Sequence, residues 1–482
     1  MFDLRPVGYV TGLLIAFLGV TMIAPLFVDL LYSNGHWHIF LEAGVLTLVC
    51  GGSVAIACAN GVAERLTIQQ TFLLATGVWL FMPVFGALPF MLGPPDARAV
   101  DAYFEAMSGM TTTGATVFSG LDDLPEGILL WRSMLQWFGG VGIIVVAMVF
   151  LPELRVGGMQ IFRSEAFDTG GKVLPRAAEI ASRISVIYLV LTLANVMAYL
   201  ATGMDGFDAL NHALTTISTG GFSTYDASFG TFQGPAEYVA AVFMVLASLP
   251  FVRYVQMMAG TAQPILRDSQ VRAYLLTIAV LVGMIALYRV IANDDNAEHA
   301  LREGLFNVTS IISGTGFASV DYQLWGGFPV VAFFFIGLIG GCAGSTACSV
   351  KIFRYQLLFA SVRAQIGKIH APHGVFTPRY EGRPVGKDVM DSVISFFVAF
   401  VVLLGLFSVL LATTGLDTVT SVSGAAATLA NIGPGLGPII GPSGNFAPLP
   451  DSAKWILSLA MLIGRLEVMV VIVLFTSKFW RA

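Results

Sequence analysis

The string TTTGAT, at residues Thr111–Thr116, is the first of four similar glycine- and threonine-rich strings in this chain. The others are STGGFS at Ser218–Ser223, GTGFAS at Gly314–Ser319 and NIGPGL at Asn431–Leu436. Each lies between strongly apolar segments. Aligned on one glycine, the strings place four residues in register: Gly114, Gly220, Gly316 and Gly433. Four quasi-repeats, each exposing backbone at membrane depth, are what one chain needs to surround a pore with four-fold pseudo-symmetry, so the simplest interpretation is an ion conduit.

The composition places the chain in a membrane. Of its 482 residues, 56% are hydrophobic and 11% are charged, and the mean hydropathy is +0.80. Soluble domains carry about 25% charged residues. The net charge of −5 comes with no basic tail, so a nucleic-acid partner is not expected. The four cysteines lie inside apolar stretches, which argues against a disulfide framework and against a zinc site.

Ten membrane spans of about 20 apolar residues are predicted. They lie near residues 8–31, 38–60, 67–92, 127–151, 180–203, 236–258, 271–292, 328–354, 389–415 and 452–478. An even number of spans puts both termini on one side. That side carries 19 of the 25 Lys and Arg residues, and Arg465 lies within a span. The other side carries five, which are Arg98, Arg132, Arg289, Arg302 and Lys454. The positive-inside rule therefore predicts cytoplasmic termini and outward-facing strings.

After the first two spans, the order of span, short semi-apolar helix, string and span occurs four times. The short helices are predicted at 101–111, 205–217, 300–312 and 418–430. All four copies run in the same direction, which favours a pore over the rocking carriers that inverted repeats build. The resulting division is an N-terminal two-helix unit at 1–64 and four pore repeats at 65–155, 156–262, 263–372 and 373–482.

The strings suit the chemistry of a dehydrated potassium ion, whose water shell a cage of backbone carbonyls can replace. Glycine permits the backbone angles that turn successive carbonyls inward, and the preceding half-helix points the negative end of its dipole at the ion path. Ordinary surface turns are the alternative, which the fourfold recurrence disfavours. The predicted ion-binding residues are Thr112, Thr113, Gly114, Ser218, Thr219, Gly220, Gly314, Thr315, Gly316, Asn431, Ile432 and Gly433.

Two features are predicted to gate the pore below the strings. The eighth span contains a break at 340–349, where Gly340, Gly341 and Gly344 precede Ser345 and Thr346. A straight helix is not expected there, and we interpret the break as a flexible intramembrane loop. Close packing of small residues between helices is the alternative.

Arg465 is the second of these features, because it falls midway along the last predicted span. An arginine inside a membrane normally faces a cavity or a partner. We interpret it as a positive constriction that slows cations. A structural salt bridge, for example to Glu42, stays open as the alternative, and Glu467 is too close in sequence to share one helix face.

Several motifs of this chain resemble those of a known family. MSGMTTTGATVF, TTISTGGFSTYD, TSIISGTGFASVDY, NIGPGLGP, GGCAGSTACSVKIFR and GRLE are similar to the pore subunit of Trk-type potassium uptake systems, in the TrkH/KtrB/HKT superfamily. VGGMQIFRSE and EGRPV at 381–385 resemble its cytoplasmic loops. The resemblance covers essentially the whole chain.

The resemblance implies an all-α membrane protein with two extra N-terminal helices and four parallel M1–pore-helix–M2 repeats around a potassium-channel-like pore. It implies potassium as the transported ion, no cofactor in this chain, a homodimer in the lipid of the bacterial inner membrane, and a cytoplasmic nucleotide-binding RCK subunit of the TrkA type. It also identifies 340–349 with the family's gating loop and Arg465 with its pore arginine. Cys348 and Ser349 depart from the glycines more usual there, and Gly114 favours potassium over sodium.

Two other classes remain alternatives. A sodium- or proton-coupled solute transporter needs inverted repeats and a midplane ionisable group, whereas no Asp, Glu or His lies near the middle of a repeat span, although Glu42 and Glu467 lie in membrane segments. A membrane enzyme is disfavoured because the six histidines form no metal-ligand pattern and no nucleophile–base set is visible. Whether uptake is passive or a proton symport is left open by the sequence.

Overall fold

The computed structural model describes residues 3–61, 66–149, 157–162, 173–258, 260–261 and 263–481. In this part the chain is mostly helical, as predicted, and its only strands are the hairpin of Arg379–Tyr380 with Arg383–Pro384. That hairpin includes most of the EGRPV stretch. Three of the four predicted repeat boundaries, and part of VGGMQIFRSE, lie outside the described residues.

Seven of the ten predicted spans are helices, within the described ranges, that are long and apolar enough to cross a membrane. They are Arg5–Tyr32, Trp37–Gly61, Ile68–Leu92, Glu126–Ala147, Ala181–Ala201, Ser269–Ala292 and Lys387–Ala412. The first comprises the helices Arg5–Thr21 and Ile23–Tyr32, and the third comprises Ile68–Gly86 and Leu88–Leu92. The eighth predicted span is interrupted, as expected, between Gly327–Gly337 and Ile352–His370.

The sixth and tenth spans were wrongly predicted to be continuous. Pro235–Ala247 and Phe251–Met258 meet at 86°, and Asp451–Arg465 and Val468–Leu474 meet at 110°. The first bend contains Pro250, which has no N–H to donate and disfavours helix in the residue before it. In the second bend Glu467 has a φ of +66°, outside the right-handed helical region. Arg465 therefore ends a helix and does not lie midway along one.

The two N-terminal helices pack closely through glycines and attach to the first repeat. A Cβ on Gly19 would lie 2.8 Å from the carbonyl oxygen of Gly44 on the second helix, a distance that only glycine tolerates. The buried Asp29 accepts a 2.8 Å hydrogen bond from the backbone N–H of Gly127 and a 2.7 Å bond from Asn34. This contact fixes the N-terminal unit against the long helix that follows the first string.

The four half-length helices occur close to their predicted bounds. They are Ala99–Met110, Gly206–Ile217, Ala297–Ser313 and Thr418–Leu429, called pore helices 1 to 4 below. Asp205, Asn296 and Asp417 cap the last three by accepting backbone N–H bonds in the first turn. Each pore helix leads directly into one string, so the carboxyl end of its dipole faces the strings.

Candidate pore site

The four strings meet in a closed ring. A Cβ built on Gly114 would overlap the carbonyl oxygen of Gly220, and one on Gly221 would overlap that of Thr315. A Cβ on Gly316 would lie 2.8 Å from the backbone nitrogen of Gly433, and one on Gly433 would lie 2.9 Å from the carbonyl oxygen of Gly114. String 1 thus touches string 2, then 3, then 4, and string 4 returns to string 1. We call this arrangement the string ring.

The backbone angles correct the alignment of the second string by one residue. Positive φ values recur two residues apart, at Thr112 and Gly114, at Thr219 and Gly221, and at Gly314 and Gly316. The residue between each pair is bonded back to its pore helix in the same way in strings 1 and 2, where Thr113 donates to Ser108 and Gly220 to Thr215, five residues earlier. The structural equivalent of Gly114 is therefore Gly221 and not Gly220, which matches Thr113.

A second pattern supports this register. Phe104 and Phe306, ten residues before Gly114 and Gly316, are fully buried, whereas Leu210, ten before Gly220, is 37% exposed. Counting from Gly221 gives Asn211, which is buried. Ser218 correspondingly caps pore helix 2, as Thr111 caps pore helix 1.

Above the ring lies a cavity of about 230 Å³. It is lined by all four structurally equivalent glycines, which are Gly114, Gly221, Gly316 and Gly433. Asp226 is the carboxylate on its wall, where it accepts bonds from the backbone N–H groups of Gly120 and Leu121. The four ring glycines therefore face this cavity.

In each repeat at least one polar side chain of the pore helix binds the string. Glu105 accepts from the hydroxyl of Thr116 and the N–H of Val117. The three corresponding contacts join His212 to Ser223, Asn307 to Ser319, and Ser423 to Leu436. We call Glu105, His212, Asn307 and Ser423 the braces of strings 1 to 4. The first three braces lie nine residues before the structurally equivalent glycine, so the position of the brace repeats although its residue type does not.

The brace of string 1 is part of a buried ion pair. Arg132 donates to Glu105 at 2.9 Å and to the carbonyl oxygen of Ser223 at 2.8 Å, which links strings 1 and 2. Its guanidinium also lies 4.2 Å from the centre of the Phe222 ring. Both charged side chains are almost completely buried. From the sequence, Arg132 was predicted only to be one of the five basic residues on the outer side.

Below the ring, the interrupted span docks into the bend of the sixth span. Cys342 donates its N–H to the carbonyl oxygen of Ser248 at 3.1 Å, and Phe251 donates to that of Gly344 at 2.9 Å. The Thr346 hydroxyl bonds the carbonyl oxygen of Ala247. The interrupting loop, residues 338–351, thus satisfies backbone groups that the bend leaves without helical partners, which membrane burial requires.

Within this loop the predicted residues adopt glycine-dependent turns. Gly340 and Gly344 have φ values of +78° and +71°. A Cβ on Gly341 would lie 2.6 Å from that of Ala347 within the loop and 3.1 Å from that of Ser248 in the bend, so a larger residue at this position would have to displace the loop. The Ser345 hydroxyl bonds the carbonyl oxygen of Cys342 at 2.7 Å.

Arg465 lies directly against this loop. Its guanidinium donates to the thiol of Cys348, to the carbonyl oxygen of Thr346 at 3.3 Å and to that of Gly139 at 3.1 Å. The Cys348 sulfur in turn lies 3.9 Å from the hydroxyl of Thr112 in string 1. Among the described residues Arg465 has no carboxylate partner, so no salt bridge to Glu42 or Glu467 forms.

Glu467 is used elsewhere. It forms an ion pair with Arg354, which is fully buried, and lies 3.7 Å from the ammonium of Lys351. Arg354 also donates to the carbonyl oxygen of Gly157 and stacks 3.8 Å from the centre of the Phe396 ring. This network anchors the far end of the interrupting loop to the bend of the tenth span.

The basic residues of the string side are paired with carboxylates. Arg98 contacts Asp101 and Asp451, and Lys454 contacts Asp101. The other pairs are Arg289 with Asp295 and Glu303, and Arg302 with Glu237 and Glu298. Together with the Arg132–Glu105 pair, all five basic residues predicted on the outer side are paired with carboxylates. The unpaired carboxylates on that side can therefore attract cations from solution.

The fold and the string ring define a multi-pass membrane protein of the cation-transport class. The chain belongs to the TrkH family of cation transport proteins, because the family model matches residues 36–482. This is a family of transporters and not of enzymes.

Individual relatives agree with the family assignment. The chain is 41% identical to the Trk system potassium uptake protein TrkI of Halomonas elongata, over 92% of each chain. It is 37% identical to TrkH of the same organism, over 99% of this chain and 100% of that one. The crystal structure of the potassium transporter TrkH from Vibrio parahaemolyticus superposes with a TM-score of 0.92 at 34% identity and covers 100% of both chains.

Sequence reasoning missed three parts of this site. Gly221 is one residue from the predicted glycine, and only the doubled glycine of STGGFS signalled the ambiguity. The pairing of Arg132 with Glu105 joins residues 27 apart on different helices, and no local pattern predicts it. The bend at Ser248–Pro250 left one signal, the proline itself.

Proposed function

We propose that this protein takes up potassium across the bacterial inner membrane through a gated, channel-like pore. The observation that supports this most directly is the string ring, in which four equivalent glycine-containing loops close around one axis. Carbonyl oxygens in such a ring replace the hydration shell of a cation. The relatives described above are named as potassium uptake proteins, and the carboxyl ends of four pore helices favour positive charge at the ring.

In this proposal the ring is the selectivity filter. Its ion-binding backbone comprises Thr112–Gly114, Thr219–Gly221, Gly314–Gly316 and 431–433. Ser218, which was predicted from the sequence to bind the ion, is not included in this proposal because it caps pore helix 2. Gly114 and its three equivalents are placed on the wall of the outer cavity, where potassium enters.

The interrupting loop and Arg465 form the gate of this proposal. Cys348 lies within contact of string 1, and Arg465 binds both Cys348 and Thr346. A guanidinium without a carboxylate partner in the described part of the chain is a positive barrier just below the filter. Opening requires the loop to leave Arg465 and the bend at Ser248.

The assembly proposed around this chain follows the family. It comprises a homodimer in the inner membrane, with both termini and the hairpin at Arg379–Pro384 in the cytoplasm, where a nucleotide-binding RCK subunit docks. Seven basic residues lie between 351 and 387, and they favour the cytoplasmic side. Coupling to protons, as in a symporter, is not required by the geometry of the ring.

The test is growth of a bacterium without its own potassium uptake systems at low external potassium, with the regulatory subunit co-expressed. The wild type is expected to rescue growth and Gly316→Ser to fail, because a Cβ there meets the backbone of Gly433. Gly415→Ser is the matched control, since Gly415 has a similar φ of +91° and no atom near its missing side chain. Failure of the wild type would favour a sodium- or proton-coupled solute transporter.

A further inference from the structure

Gln136 connects the long helix of the first repeat, Glu126–Val149, to the second string. Its side-chain N–H donates to the carbonyl oxygen of Gly220 at 2.7 Å, and its side-chain oxygen accepts from the N–H of Phe222 at 3.0 Å. The residue is fully buried. The two bonds flank Gly221, the ring glycine of string 2, so one amide fixes the backbone on both sides of it.

The same side chain explains why string 2 has two glycines. Gly221 has a φ of +77°, which a glycine adopts without strain. Gly220 is not among the residues with positive φ, so its conformation does not require a glycine. Its missing side chain makes room for Gln136, because a Cβ there would lie 2.8 Å from Nε2 and closer still to the amide carbon.

This bond makes the ring asymmetric. The residues equivalent to Gly220 in the other strings are Thr113, Thr315 and Ile432. Within the described residues no hydrogen-bond donor of the protein reaches their carbonyl oxygens, whereas that of Gly220 is occupied by Gln136. A carbonyl that already accepts a bond in a low-dielectric site is held in place and is a weaker ligand for a passing cation.

We propose that Gln136 is a positioning residue that sets the cation selectivity of the pore. By holding the Gly220 carbonyl aside and fixing Gly221, it determines how many oxygens of string 2 face the ion and how rigidly they do so. The inference rests on the proposed function, since it concerns the discrimination of a potassium pore. It assigns part of the control of cation selectivity to a side chain on a long helix outside the strings.

The experiment compares Gln136→Leu with the wild type for potassium uptake in the presence and absence of excess sodium, at matched expression with the regulatory subunit present. The variant is expected to lose potassium-over-sodium selectivity by about tenfold, the size that one or two buried hydrogen bonds correspond to. Ser133→Ala is the control, because Ser133 is equally buried on the same helix but bonds only the carbonyl of Leu129. Wild-type selectivity in Gln136→Leu would overturn the inference.

A second pair of variants separates positioning from folding. Gly220→Ala alone is expected to abolish uptake, because its methyl group meets the Gln136 amide. Gln136→Ala combined with Gly220→Ala removes that overlap and the two hydrogen bonds together, so uptake should return with the reduced selectivity of Gln136→Leu. Full selectivity in the double variant would contradict the inference. If the wild type carries no potassium at all, the proposed function fails and this inference falls with it.

Discussion

Asn431 of string 4 donates a 3.0 Å hydrogen bond to the hydroxyl of Thr113 in string 1, across 318 residues of chain. Its other amide hydrogen bonds the carbonyl oxygen of Met461 at 2.9 Å. The backbone of Asn431 has a φ of +52°, a region that asparagine tolerates better than most residues. One side chain thus closes the string ring at the seam between the last repeat and the first, where chain connectivity does not help.

The first prediction concerns this seam. Asn431→Gly keeps the backbone angle accessible but removes both hydrogen bonds, and it should lower the free energy of unfolding by about 1–3 kcal/mol. Asn431→Ala should cost about 1–2 kcal/mol more, because alanine is strained at positive φ. Thermal unfolding of the purified protein in detergent measures both. An alanine variant as stable as the glycine variant would show that the left-handed backbone is not required.

The second prediction compares a buried ion pair with an exposed one. Arg132→Met leaves Glu105 buried without its partner and should destabilise the protein by about 3–5 kcal/mol. Arg98→Met breaks the pairs with Asp101 and Asp451, but Arg98 is 61% exposed, so the expected loss is at most about 1 kcal/mol. The melting temperatures of the two variants should therefore differ clearly, and equal values would argue against the burial of this pair.

The third prediction concerns the proposed gate. Arg465→Ala removes the positive barrier below the ring and should raise potassium flux several-fold at equal expression. Cys348→Ala should act in the same direction but less strongly, because Arg465 keeps its bond to Thr346. Since both changes break one contact, their effects should not add in the double variant.

Controls for the gate are present in the chain. Cys342→Ala is a matched cysteine change in the same loop, and the thiol of Cys342 is not bonded to Arg465. It should leave flux unchanged. Uptake by Arg465→Ala that equals or falls below the wild type would contradict the barrier, whereas simple addition of the two effects would contradict the shared contact.

The fourth prediction concerns pH at the cap of pore helix 4. Hydrogen bonds from Thr420, together with other groups at the helix start, lower the pKa of Asp417 below its usual value. A lowered pKa in the folded state means that the stabilising effect is present above the ordinary aspartate range and is lost as the pH falls through the folded pKa. Asp417→Ala should thus cost about 1 kcal/mol at neutral pH.

The matched variant for the cap is Asp417→Asn, which keeps an acceptor for the N–H of Thr420 but cannot titrate. Measured from neutral pH to below pH 4, its stability should decline less in acid than that of the wild type. Parallel acid profiles for the two proteins would show that the Asp417 carboxylate contributes nothing through its charge.

The local features of the fold were predictable from the sequence. All four pore helices begin and end within a few residues of their predicted bounds, because each is a short semi-apolar segment that ends at a glycine-rich string. The break near Gly340 was predicted from three glycines in five residues. The bends at Pro250 and Glu467 were not, because apolar periodicity looks the same in a straight span and in a sharply bent one.

By itself, the sequence determined that the chain is a helical membrane protein of four parallel repeats, since apolar length, charge asymmetry and glycine placement are local properties. Only the tertiary structure decided the register of string 2, the pairing of Arg132 with Glu105 and the contacts of Arg465. These depend on which helices pack side by side. Gly220 and Gly221 are adjacent and identical in sequence, and only the neighbouring Gln136 distinguishes the glycine needed for space from the glycine needed for its backbone angle.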